Sequence, residues 1–113
     1  MDALMSVKRY DKLVRDRIPG IIRQSGKEPE TEVVPQAEAI DYLARKLREE
    51  ADEYLESREA EELADVLEVV YALAAETGLT LADLEALRAR KAAERGAFHQ
   101  RIVLKAVRTP EEG

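Results

Sequence analysis

Apolar positions recur at intervals of three and four through the middle of the chain. Ile40, Leu43, Leu47, Ala51 and Tyr54 form one stripe, which predicts a helix over about 35–56. After Asp65 the sequence reads VLEVVYALAA, apolar almost all round. That run predicts a second helix over about 58–76, buried at the centre of the fold. Leu81, Leu84 and Leu87 give the face of a third, over 81–95. The punctuation agrees with these bounds. Pro35 suits the first helical position, and Ser57 suits an N-cap with Glu59 in the turn that follows. Thr77-Gly78 is a stop, Thr80 with Asp83 resembles a capping box, and Gly96 ends the third helix. Upstream, Leu13, Val14, Ile18, Ile21 and Ile22 lie near helical spacing, with Pro19 in the first turn of a short helix ending near Gln24. Segments 31–34 and 102–107 read as short strands that could pair. Residues 1–11 read as a polar lead-in and 109–113 as a loose tail. The expectation is one mainly α domain over 1–113, an antiparallel helical bundle.

Composition removes several kinds of chemistry. The 113 residues contain no Cys, one His and no Trp. A disulfide framework, a thiol nucleophile and a thiolate metal site are excluded, and a zinc site or catalytic triad built on His99 alone is not expected. His99 reads as a surface residue beside a turn. Tyr42, Tyr54, Tyr71 and Phe98 read as core or interface rather than as base-stacking platforms. No apolar run approaches ~20 residues, so no membrane span is expected. The start of the chain lacks an apolar signal core, and a cytoplasmic protein is the expectation.

Charge is unevenly spread. The net charge is −6, but Glu49 to Glu68 holds ten carboxylates and one base, Arg58. That window disfavours nucleic acid as a partner and favours a cation or a solvated acidic surface. Within it, Glu50 and Glu53 stand three apart, as do Glu62 and Asp65. Each pair therefore projects from one side of its own helix. The short link near Glu56 to Glu59 makes the two helices antiparallel neighbours. Glu50 should then lie level with Asp65, and Glu53 with Glu62. Two bare carboxylates ~4 Å apart at an effective dielectric of ~20 repel by roughly 4 kcal/mol. Such groups must take up protons, pair with bases or bind a cation. With only Arg58 close in sequence, a hard divalent cation is the economical answer. All-oxygen ligation selects Mg²⁺, with Mn²⁺ as a substitute, and Mg²⁺ held this way commonly works on phosphates. The competing reading is a solvated Glu-rich helix pair; Asp65, a poor helix former inside an apolar helix, argues against it.

In the setting KLREEADEYLES…EELADVLEVVYALA, the Glu50-x-x-Glu53 and Glu62-x-x-Asp65 motifs resemble those of the MazG-like all-α nucleoside triphosphate pyrophosphohydrolases, relatives of phosphoribosyl-ATP pyrophosphohydrolase. Lys12-Leu13-Val14-Arg15-Asp16-Arg17-Ile18-Pro19 and Glu94-Arg95-Gly96-x-Phe98 are similar to a small subgroup of that family. The resemblance covers about Tyr10 to Val107. It implies a Mg²⁺-dependent hydrolase that splits the α–β phosphoanhydride of a nucleotide into a monophosphate and pyrophosphate. It also implies helical subunits that assemble as homo-oligomers. By motif matching, Glu50, Glu53, Glu62 and Asp65 would be the metal ligands, and Glu49 or Glu53 would act on the attacking water. Lys12, Arg15, Lys91 and Arg95 are the candidate phosphate-binding bases. The eight residues between Glu53 and Glu62 are fewer than is usual in that family.

Two alternatives stay open. One is a non-catalytic helical module for oligomerisation or protein binding. The other is a phosphoribosyl-ATP pyrophosphohydrolase. Three helices with a nearly all-apolar middle one cannot cover every face in so short a chain, so a homo-oligomer, a dimer first, is expected on either reading.

Overall fold

The computed structural model describes residues 6–111. It contains four helices: α1 (Ile18–Gln24), α2 (Gln36–Ser57), α3 (Ala60–Glu76) and α4 (Leu81–Arg95). All four fall within two residues of the positions that periodicity predicts. No strand occurs among the described residues. Segments 31–34 and 102–107 are irregular, which corrects the expectation of a two-stranded element. A ribbon of two short strands, with no third strand to extend it, is marginal in water. The lead-in and the tail lie partly outside the described residues, at 1–5 and 112–113; residues 109–111 are irregular.

The chain falls into two compact units, Met1–Leu81 and Ala82–Gly113. In the first unit α2 packs against α3. Their direction is fixed at the open end, where the Gln36 side-chain amide at the start of α2 donates to the Glu76 carbonyl at the end of α3, 2.5 Å. At the other end the link is two residues long. Ser57 closes α2 rather than capping α3, and Arg58 turns the chain with φ 61°, a left-handed conformation. The Ser57 hydroxyl then accepts from the Glu59 amide, 3.2 Å. Glu59 is the N-cap of α3 and makes no side-chain cap. So tight a reversal leaves no room for a separate capping residue.

The far end of α3 is closed by its backbone. Leu79 N–H donates to Ala74 O at 2.8 Å and Gly78 N–H to Ala75 O at 3.2 Å. This is a Schellman arrangement, and Gly78 supplies the required φ of 84°. The Thr77 hydroxyl adds a bond to the Leu73 carbonyl, 2.8 Å.

The apolar core of the first unit is small. Leu43, Val69 and Ala74 are buried, and Ala39, Ile40, Leu47, Val66 and Leu73 are half-buried. The expectation that α3 lies buried all round is corrected. Leu63, Leu67 and Tyr71, four apart along one stripe, are exposed. One neighbouring helix covers one face of α3, and the second apolar face is left open.

The second unit holds α4, apart from its first residue, and the irregular segment 96–111. Gly96, φ 85°, ends α4 by donating its N–H to the Ala92 carbonyl at 2.8 Å. His99 is exposed beside a turn, as expected. Phe98 is 95% exposed, so its assignment to a core is corrected.

Candidate functional site

Near the two-residue link, α2 and α3 bring their carboxylates together. Glu49, Glu50 and Glu53 each offer an oxygen within 4.8 Å of the others, and so do Glu50, Glu62 and Asp65. Glu50 belongs to both groups and is the pivot of the cluster. The level rule for an antiparallel pair thus places Glu50 against Asp65 correctly. It also explains why Glu53 feels the charge of Glu62 across the pair.

Glu50 is the most buried of the five, at 8% exposure. One of its oxygens, Oε1, meets the Lys46 ammonium at 3.2 Å. The other, Oε2, is buried with no hydrogen-bond partner. A buried carboxylate oxygen without a donor carries a desolvation cost of about 1–3 kcal/mol or more. A cation or a proton on the cluster would remove that cost.

Bases from two parts of the chain reach the cluster. Lys12 meets Glu49 Oε1 at 3.0 Å, and Arg15 meets Asp65 Oδ1 at 2.7 Å. Both come from the irregular stretch before α1. That stretch is fastened where the Tyr42 hydroxyl donates to Asp11 Oδ1, 2.6 Å, with Asp11 in a left-handed conformation at φ 51°. Lys46, on α2 one turn before the acidic pair, lies 3.5 Å from Glu49 Oε2. The reading of Arg58 as the one nearby base is therefore corrected. Its Nε–H donates to the Leu55 carbonyl in the link, while Lys12, Arg15 and Lys46 serve the acids. Sequence reasoning missed Lys46, although its i, i+3 and i, i+4 spacing to Glu49 and Glu50 was the signal. The Asp11–Tyr42 fastening leaves no such signal.

The electrostatics differ across the cluster. Glu49 is held below the usual carboxylate range, first by its hydrogen bond from Lys12 and then by the Lys46 charge. Lys12 is raised by the same bond. Glu53 is pushed up first by Glu50, with which it can share a hydrogen bond only when a proton is bound, then by partial burial and the charges of Glu50, Glu62 and Glu49. Glu62 is pushed up by partial burial, then by the Asp65 and Glu50 charges. The Glu49 side is thus charge-compensated, and the side facing α3 is under-compensated.

Lys91 and Arg95, the other two predicted phosphate-binding bases, lie exposed on the last turns of α4 in the second unit. Beside Glu49 is a recess of about 40 Å³, lined by Asp11, Lys12, Leu13, Tyr42, Arg45, Lys46 and Glu49. Drug-sized ligands occupy roughly 300–1,000 Å³, so this recess does not enclose a nucleotide.

The donor set is oxygen only, from carboxylates on two adjacent helices, with an orphaned buried oxygen at its centre. Such a set could hold a hard cation, for which oxygen donors are the usual ligands. No protein-family model, curated protein or solved structure matches the chain. No helix among the described residues is long and apolar enough to cross a membrane.

Proposed function

We propose that the chain is a Mg²⁺-dependent nucleotide pyrophosphohydrolase of the MazG-like kind, built as an antiparallel helical bundle. The observation that carries the metal half of this reading is the buried, partnerless Glu50 Oε2 at the junction of the two carboxylate groups. The nucleotide half rests on the sequence resemblance around Glu50-x-x-Glu53 and Glu62-x-x-Asp65. A divalent cation at such a site supplies Lewis-acid neutralisation of phosphate oxygens and lowers the pKa of a bound water.

The chain's own residues divide the remaining work. Glu50, Glu62 and Asp65, whose oxygens lie within 4.8 Å of one another, would hold the ion. Glu53, whose carboxyl is raised above the ordinary glutamate range by Glu50 and its other acidic neighbours, is suited to accept a proton from an attacking water. Glu49 is held ionised by Lys12 and orients rather than titrates. Lys12 and Arg15 stand within reach of phosphate oxygens arriving at the cluster. Because the recess at Glu49 is too small for a nucleotide, the substrate pocket is completed by a second copy of the chain. That copy covers the exposed stripe of Leu63, Leu67 and Tyr71. The cellular setting that suits this activity is the cytoplasm.

The test is pyrophosphate release from a panel of common and modified nucleoside triphosphates and phosphoribosyl-ATP, with and without Mg²⁺. Release from at least one that requires Mg²⁺ and vanishes in Glu50→Gln supports the reading. Preference for phosphoribosyl-ATP would move it to that relative. A second reading is favoured by the ion pairs of Lys12, Lys46 and Arg15, which already neutralise part of the cluster. On that reading the chain is a non-catalytic helical module. No release from any nucleotide, with an unchanged oligomer in Glu50→Gln, would favour it.

A further inference from the structure

The five carboxylates form two overlapping groups, and each group has room for an ion. The bases are not shared evenly between them. Lys12 and Lys46 both sit on Glu49, one on each oxygen, at 3.0 and 3.5 Å. Lys46 also holds one oxygen of Glu50. The Lys12 charge reaches Glu53 and Glu50 as well. On the other side Arg15 holds one oxygen of Asp65, and among the described residues no base forms an ion pair with its second oxygen or with Glu62.

We propose that Lys12 and Lys46 close the Glu49–Glu53 side of the cluster to cations, so that one divalent ion, and not two, seats on Glu50, Glu62 and Asp65. The inference rests on the metal reading above and deepens it by fixing the number and place of the ions. The charge balance is direct. Five carboxylates facing three bases leave two negative charges, which one divalent ion cancels. A second ion would leave the cluster with excess positive charge, held beside two ammonium groups that repel it. Glu49 has no oxygen left without an ammonium neighbour. Glu50, by contrast, keeps one buried oxygen free. Lys12 does not hold its place by chance. Asp11, directly before it, is fastened to Tyr42 on α2, so the ammonium is delivered to Glu49 by an anchored segment.

Lys12 and Lys46 are positioning residues on this account, and the readout is stoichiometry. The full chain is titrated with Mn²⁺ at fixed pH and ionic strength, and free Mn²⁺ is followed by its paramagnetic resonance signal. Wild type takes up one ion per chain. Lys12→Met opens the Glu49 side and takes up two, whereas Lys12→Arg keeps the charge and stays at one. Asp65→Asn weakens the single site by tenfold or more. Circular dichroism checks that each variant keeps its helices. Two ions in wild type, or one ion in both wild type and a folded Lys12→Met, overturns the inference while the metal reading stands. No uptake by wild type or any variant overturns both.

Discussion

The two halves of the α2–α3 pair are built on opposite principles. The half towards the open end, around Leu43, Val69 and Ala74, is apolar, and its helix ends are satisfied by the Gln36–Glu76 bond and the turn at Gly78. The half towards the link gathers five carboxylates around a buried oxygen with no partner. One half stabilises the hairpin and the other strains it, though the same two helices form both. Natural chains keep such strain where a ligand or a reaction uses it. The contrast is what directs the proposed metal site to the link end.

The largest expected effect lies in the apolar half. Leu43→Ala should cost about 3 kcal/mol, the usual range for a buried Leu being about 2–5. Urea unfolding with and without the substitution measures it. A cost under about 1 kcal/mol would show that the stability of the pair resides elsewhere.

At the link end the sign should reverse. Glu50→Gln removes a buried charge from among like charges, so the metal-free chain should melt no lower than wild type, and higher if repulsion dominates. The gain from Mg²⁺ should disappear with it. At a hundredfold excess over its Kd that gain is about 2.7 kcal/mol. Thermal melts with Mg²⁺ and with a chelator give both numbers. A fall of several degrees in the metal-free Glu50→Gln would mean that Glu50 is a structural partner of Lys46 and would erase the contrast.

The smallest effect is on pH. Glu53 and Glu62 sit above the ordinary glutamate range in the folded chain, so the fold binds their protons more tightly than the unfolded chain does. Their penalty is absent below the unfolded value, about 4.3, and is complete above the folded values. Metal-free stability should thus fall as pH rises from the ordinary glutamate value through the raised folded ones. Glu49 is shifted the other way, so its contribution is lost only on acidification below the ordinary range, outside that window. Melts across this span in chelator test the slope; a flat or opposite slope in wild type, or an unchanged slope in Glu53→Gln/Glu62→Gln, would break the comparison at its electrostatic root.

The four helices were legible because their stripes recur at three and four over many residues and their stops are Gly and Pro. The pairing of Glu50 with Asp65 was legible because a short link forces two helices antiparallel and in register. Ser57 was misread because a cap and a chain reversal use the same residue types, and the link length decides between them. The strand readings at 31–34 and 102–107 failed because a short β-branched run specifies an extended backbone and not a partner.

The acid cluster, then, was set by the sequence alone: local spacing on two long helices leaves little freedom in where those carboxylates point. What the tertiary structure alone decided is which bases answer them. Lys12 and Arg15 stand 37 and 50 residues from their partners, and a chain excursion of that length has no periodic signature. The open face of α3 was decided there too, because hydrophobicity shows that a helix needs cover and only packing shows how much of that cover its own chain provides.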